Sequence, residues 1–233
     1  MMQHYVPGQT LLSPVPASAS LPVVETFHSI QGEGCHGGRS AVFIRLAGCR
    51  VGCSWCDTRH SWPMQAHPQQ PISTLVDVVA AAVTAGAGFA VITGGEPLHH
   101  DLTDLCQALE TVHRSACHGG GPLPLHLETS GVDALSGRFD WITLSPKRHR
   151  PPTAALLAAC HELKVVVNEP ADLDFAEAMA AAAGQERGPT AGPVLLLQPC
   201  WESPQGRALA LAHVQANPNW RLSLQTHKWL GVR

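Results

Sequence analysis

Between Gly48 and Thr58 the chain reads GCRVGCSWCDT, with Cys49, Cys53 and Cys56 at C-x3-C-x2-C spacing. If the three sulfurs serve one centre, the fold must carry this loop on a stiff support. The apolar, strand-like run before it, Ala41 to Ala47 (AVFIRLA), predicts a strand that delivers the loop at the end of a sheet. Thiolates are soft ligands suited to zinc or to iron–sulfur iron. Closed sites of either kind use four protein ligands, and here the local count stops at three. A 4Fe-4S cluster on three thiolates leaves one iron open to bind something else, which is what chemistry needs. The plainer readings are a zinc site completed by His60 or another residue, or three unligated cysteines.

Composition narrows the setting. A chain of 233 residues suffices for one large domain with a full core and is short for two. With 45% apolar residues, 14% charged residues and net charge −3, it reads as a soluble globular protein. That balance argues against disorder and against nucleic-acid binding through a basic face. No apolar run approaches the roughly 18–20 residues of a membrane span. The first twenty residues hold no Lys or Arg and are broken by Pro7, Pro14 and Pro16, so no secretory signal is expected. Eight cysteines, three of them at ligand spacing, suit a reducing cytosol, and a cytoplasmic location is expected. Cys35, Cys106, Cys117, Cys160 and Cys200 show no such pattern and read as core or loop residues.

In chain order, residues 1–21 form an expected irregular tail and residues 22–233 a single core domain. Pro22 to Ser29 predicts a first strand, followed by the Gly-rich turn Ile30 to Gly38. His60 to Pro71, with three prolines, predicts an irregular excursion. Ser73 is the expected N-cap of a helix reaching about Ala85. Phe89–Thr93, Leu123–Thr129, Trp141–Leu144, Glu162–Val167 and Val194–Gln198 predict short buried strands. Arg221–Gln225 predicts a last one. Helices are expected over 101–114, 153–161, 172–183 and 205–215, and His118 to Pro122 reads as a surface loop. Apolar strands alternating with helices imply a mostly parallel sheet. A full (β/α)8 barrel needs about 250 residues, so six core strands favour an open, partial α/β barrel of about six βα units.

In such sheets the C-terminal strand ends carry the site. The cysteine loop, GGEP (94–97), ETSG (128–131), SPK (145–147) and QPCW (198–201) all fall at such ends. Singly, GGEP is a turn that permits close backbone approach, and Glu128, Ser145, Lys147 and Gln198 are loop polars. Gln31-Gly32-Glu33-Gly34 pairs an amide with a carboxylate, suited to a heterocycle bearing adjacent N–H donors and a carbonyl. Arg45 sits inside an apolar strand, where an unpaired charge is costly, on the face opposite Ile44 and Leu46. An inward Arg45 would suit a substrate carboxylate; an outward one is merely solvated. Thr58 is either a loop cap or an oxygen ligand for Mg2+.

The cysteine motif followed about forty residues later by GGEP resembles the radical S-adenosylmethionine (SAM) enzymes, and implies a radical SAM barrel. With QGEG, CDT, ETSG, SPK and the ending QTHKWLGVR also in order, the chain from Val23 to Arg233 closely resembles the 7-carboxy-7-deazaguanine synthase family of the queuosine pathway. The resemblance implies a carbon–nitrogen lyase that converts 6-carboxy-5,6,7,8-tetrahydropterin to 7-carboxy-7-deazaguanine with loss of ammonia. It implies a 4Fe-4S cluster on Cys49, Cys53 and Cys56, with SAM on the fourth iron as the source of a 5′-deoxyadenosyl radical. Trp55, Cys56, Asp57, Gly94, Gly95, Glu96, Glu128, Ser145, Pro146, Lys147, Gln198, Pro199, Cys200 and Trp201 would surround SAM. Ile30, Gln31, Gly32 and Glu33 would bind the pterin, with Arg45 on its carboxylate, Thr93 and His227 in contact, and the terminal carboxylate of Arg233 close by. Thr58 would hold Mg2+.

The same resemblance implies a homodimer served by an external, flavodoxin-like electron donor, with no membrane or direct nucleic-acid partner. Two departures stand out: a longer tail before Val23, and Arg233 where small or apolar last residues are common. An activase that installs a glycyl radical shares the cysteines and GGEP but leaves QGEG and QTHK unexplained. A non-catalytic zinc or electron-transfer protein lacks a clear fourth ligand.

Overall fold

Alternation along the strands decides where the chain puts its apolar and polar residues. β2 (Ser40–Leu46) sends Val42, Ile44 and Leu46 into the main core and turns Ala41, Phe43 and Arg45 to the opposite face. β4 (Ala90–Gly94) buries Ala90 and Ile92 against that core and turns Val91 and Thr93 the other way. β5 (Leu125–Thr129), β6 (Trp141–Leu144) and β7 (Glu162–Val167) repeat the pattern. Leu125, Leu127, Ile142, Leu144, Leu163 and Val165 go to the core. Glu128, Thr143 and Lys164 go to the inner face. Each fully buried Leu or Ile contributes about 1.5–3 kcal/mol relative to exposure, so this one-sided stripe fixes the register. A one-residue slip would invert every strand.

The computed structural model describes residues 19–116, 119–187 and 192–233. Most of the expected tail, and Cys117 and His118, lie outside these. Completing the sheet are β1 (Ser20–Ile30), β3 (Gln69–Pro71), β8 (Val194–Pro199) and β9 (Trp220–Leu222). The strand order is β3-β1-β2-β4-β5-β6-β7-β8-β9. From β2 to β9 every neighbouring pair is parallel; β1 is antiparallel to β2, and β3 to β1. The edges β3 and β9 do not meet, so the barrel is open. The helices α1 (Ile72–Thr84), α2 (Thr103–Leu109), α3 (Ala154–Ala159), α4 (Pro170–Arg187) and α5 (Pro204–Ala216) connect the strands, and α6 (Thr226–Leu230) ends the chain. The expected open, mostly parallel α/β barrel is the fold found.

Several local expectations are corrected. β1 starts at Ser20, because Ser20 to Pro22 pair with β3 in the segment read as irregular. That pairing runs directly into α1: Pro71 occupies the N-cap without a side-chain bond, so Ser73 caps nothing. α2 stops at Leu109 rather than near Arg114, where Val112 turns to accept from Leu123 N–H. The last strand is shorter than expected and ends at Leu222, although Ser223 N–H still reaches Leu197 O at 2.9 Å. The ending THKWL is helical. Thr226 donates to Gly32 O through both N–H (2.9 Å) and Oγ1 (3.0 Å), tying the terminus to the QGEG turn.

Candidate active site

The inner face opens into a cavity of ≈ 480 Å3 at the C-terminal ends of the parallel strands. Every residue that the family resemblance assigned to the cluster, SAM, Mg2+ or the pterin lines it except Pro146. His60, the candidate fourth ligand of a zinc site, does not line it.

The cysteine loop leaves β2 and is pinned to its neighbours through the backbone. Gly48 N–H reaches Ser61 O at 2.7 Å, and Cys49 N–H reaches Trp62 O at 3.2 Å. Trp62 Nε1–H donates to Cys56 Sγ at 3.4 Å, and Thr58 Oγ1 lies 3.6 Å from the same sulfur. Burial pushes the Cys49 and Cys53 thiols up. Amides of Val51 and Gly52 oppose this at Cys49, and the Lys147 ammonium opposes it at Cys53. Among the described residues no three His, Cys, Asp or Glu side chains converge at metal-binding distance. The donor set still fits a cluster: three soft thiols on one cavity wall, with amide and indole N–H groups already aimed at sulfur.

The Gly94-Gly95 pair is explained by close approach. Gly95 N–H bonds Leu46 O and Glu96 N–H bonds Gly48 O, both at 2.9 Å. A Cβ on Gly95 would overlap Gly48 O and sit 3.0 Å from Cys49 Cβ. The motif therefore seats the cysteine loop directly on β4. Glu96 is 1% exposed and fully engaged. Its Oε1 accepts from Leu98 N–H (3.1 Å) and Thr129 Oγ1 (2.5 Å), and its Oε2 from Ser130 N–H (2.8 Å) and Ser130 Oγ (2.5 Å). It locks ETSG to GGEP. Lys147 Nζ donates to Ser145 Oγ at 2.8 Å; burial pushes its ammonium pKa down, opposed by Cys53 and Glu96. Gln198 Oε1 accepts from Ser223 Oγ at 2.9 Å. Asp57 meets Lys228 Nζ at 2.5 Å, and that ammonium lies 4.9 Å from the Trp201 ring centre.

On the other side, Gln31 is buried and donates through Nε2 to Glu128 Oε1 at 2.9 Å, while Thr93 Oγ1 donates to Glu128 Oε2 at 2.8 Å. Glu33 is held by the Lys164 ammonium and by Gln225 Nε2 at 2.8 Å. Burial pushes its carboxyl up, but Lys164 and Gln225 outweigh this and hold it at about 2. His227 packs against Gly32, and burial pushes its pKa down. Arg45 faces inward and donates through Nε to Glu25 Oε1 at 3.1 Å; Arg233 pairs with the other oxygen of Glu25, and Ser29 Oγ donates to Arg233 O at 2.5 Å.

Sequence reading missed Lys164, Glu25, Trp62 and Gln225. Lys164 carried the same signal as Arg45, a cation inside an apolar strand. Glu25 and Trp62 carried none beyond being polar or aromatic near a motif, and Gln225 opens the quoted ending QTHK but was given no role.

A partial barrel whose first parallel strand ends in three cysteines over a glycine-seated rim defines a radical SAM iron–sulfur enzyme. Residues 30–121 match the family described as a 4Fe-4S single cluster domain. A 7-carboxy-7-deazaguanine synthase of Prochlorococcus marinus is 50% identical, covering 92% of this chain and 99% of that one. The Escherichia coli synthase is 31% identical over 91% and 98%. The crystal structure of QueE from Escherichia coli superposes with TM-score 0.72 at 30% identity, covering 88% of this chain and 94% of that one. The chain belongs to the 7-carboxy-7-deazaguanine synthase family, radical SAM lyases of deazapurine biosynthesis, and its cofactors are a 4Fe-4S cluster and SAM. It acts on a small molecule, and no helix among the described residues is long and apolar enough to cross a membrane.

Proposed function

We propose that the protein converts 6-carboxy-5,6,7,8-tetrahydropterin to 7-carboxy-7-deazaguanine with release of ammonia, in a Mg2+-dependent reaction. The observation that carries this reading is one cavity holding the cysteine loop on one wall and Gln31, Glu33 and Arg45 on the other. Cluster and SAM, when bound, supply the one-electron chemistry that removes hydrogen from the carbon bearing the carboxylate.

The chain's own residues bind and orient. Cys49, Cys53 and Cys56 hold the cluster. Trp55 to Asp57, Gly94 to Glu96, Glu128, Ser145 to Lys147 and Gln198 to Trp201 surround SAM. Ile30 to Glu33, Thr93 and His227 take the pterin ring, the carboxylates supplying acceptors for its N–H donors. Arg45 Nε stays on Glu25, and its terminal nitrogens address the substrate carboxylate beside the Arg233 terminus. Thr58 offers its hydroxyl to Mg2+. A homodimer in the cytoplasm, reduced by a flavodoxin-like donor, completes the scheme. The core domain begins with β1.

The test is an anaerobic assay of reconstituted enzyme with SAM, Mg2+, reductant and carboxytetrahydropterin, read by mass spectrometry. Carboxydeazaguanine is expected, and it disappears in Cys53→Ala. Cleaved SAM with intact pterin overturns the substrate assignment.

A further inference from the structure

Between Cys49 and Cys53 lie Arg50, Val51 and Gly52, and their peptides are held from outside. Arg50 N–H donates to His99 Nε2 at 3.1 Å. A donor at that nitrogen places the His99 proton on Nδ1, which meets the Asp133 carboxylate. Arg50 O accepts from an Arg150 terminal nitrogen. Val51 O accepts from His149 Nε2–H at 3.1 Å.

A trans peptide is planar, with its C=O and N–H pointing in opposite directions. Holding Arg50 O on Arg150 therefore turns Val51 N–H away from Arg150. Holding Val51 O on His149 turns Gly52 N–H away from His149. Both amides act as backbone donors toward the Cys49 sulfur, opposing the burial that pushes its thiol up. Gly52 adopts φ +79°, and two successive N–H groups on one acceptor in such a bend form an anion nest. The two anchoring side chains belong to the turn after β6, where Arg150 N–H bonds Lys147 O at 2.9 Å. His149 is steadied by an edge-on contact with Trp55, 5.8 Å between ring centres. The SPK turn and the cysteine loop are thus one mechanical unit.

We propose that His149 and Arg150 are positioning residues for the cluster: by gripping two loop carbonyls they aim the Val51 and Gly52 amides at the Cys49 thiolate and set the cluster's reduction potential. N–H donors to cluster sulfur stabilise the more negative, reduced state, and partners outside the ligand set tune a metal centre through its ligands. The inference concerns cluster and loop alone and does not depend on which pterin is bound.

The experiment is a redox titration of the reconstituted cluster, followed by electron paramagnetic resonance, in His149→Leu and Arg150→Met. Donor-retaining His149→Gln and Arg150→Lys are measured beside them, with iron content and circular dichroism recorded for all four. We expect the apolar variants to lower the midpoint potential, with the reduced-to-oxidised ratio at fixed poise falling by on the order of tenfold, or ~59 mV for one electron. The donor-retaining variants should recover most of that shift. Should an apolar variant fold but load little iron, full loading of its donor-retaining counterpart supports the same role. Unchanged potentials in folded, loaded variants overturn the proposal, as do donor-retaining variants that fall as far as the apolar ones.

Discussion

Lys164, inside β7, rests its ammonium on the Glu33 carboxylate of the QGEG turn, 131 residues earlier in the chain. The two side chains are 7% and 17% exposed. A charge this buried is tolerated only when paired, so the turn and the strand hold each other in place. Lys164→Met should cost about 3–5 kcal/mol, because it leaves the Glu33 carboxylate buried without its cation, on the Gln225 hydrogen bond alone. Denaturant unfolding checks this, and Glu33→Gln/Lys164→Met should regain most of the loss. A double variant as unstable as the single would show that the pair is not the cause. Below pH 4.5 the unfolded chain protonates Glu33 before the folded one does, so the stability from this pair fades as pH falls from 4.5 toward about 2.

A second acid-sensitive group begins to act at higher pH, and its window overlaps the first below pH 4.5. His126 is buried on the inner face against the ring of Phe89, 4.3 Å between centres, with His36 at 4.6 Å. Burial, then the His36 and Arg39 charges, pushes its pKa down to about 3. The folded state therefore keeps it neutral while the unfolded state gains a proton below 6.5. Stability present above pH 6.5 is lost as pH falls toward 3, by roughly 2 kcal/mol at pH 5. His126→Phe should flatten the difference in unfolding free energy between pH 7 and pH 5. A variant with the parent's slope would assign that slope elsewhere.

At the GGEP motif the constraint is steric. Gly95→Ala puts a Cβ into Gly48 O and against Cys49 Cβ. The cysteine loop must then shift off β4, at a cost of about 1–3 kcal/mol for overpacking. The expected result is a folded protein with reduced iron uptake on reconstitution, measured as iron per chain. Normal uptake would mean that the loop has another way to seat.

How legible all this was depends on whether a residue's role is local. Strand positions and the convergence of five motifs on one rim were readable, since apolar runs and strand-end breaks are local in sequence. Period-2 counting put Arg45 on the face opposite Ile44 and Leu46 and left open whether that face was inward, which the fold decides. What pairs with what was not readable. Glu25 to Arg233 and Glu33 to Lys164 are contacts between residues far apart in the chain, brought together by the curvature of the open sheet. β3 was hidden because three residues carry no periodicity, and its pairing with β1 comes from the tertiary fold. That same pairing replaced the expected Ser73 cap. Glu128, Thr143 and Lys164 lay in runs read as short buried strands, yet they form the cavity wall.

Glu25 sits between two arginines, accepting from Arg45 Nε through one oxygen and pairing with Arg233 through the other. The Arg45 guanidinium also lies 5.6 Å from the centre of the Phe27 ring, which stacks on Phe43. With its flank on an aromatic face and Nε on a carboxylate, the side chain is preorganised, and a preorganised fork loses less entropy on meeting an anion. Charge-assisted bonds of this kind contribute roughly 1.5–3 kcal/mol, about 10- to 150-fold in affinity. Arg45→Ala should therefore raise the KM for a carboxylated pterin by that factor. It should leave the affinity of the same ring without its carboxylate nearly unchanged. Glu25→Gln keeps the shape and frees both arginines, so its effect should be smaller, in the same direction and confined to the carboxylated ligand. Binding isotherms for the two ligands against parent, Arg45→Ala and Glu25→Gln separate these outcomes. Equal losses for both ligands would mean that Arg45 shapes the cavity and does not read the carboxylate.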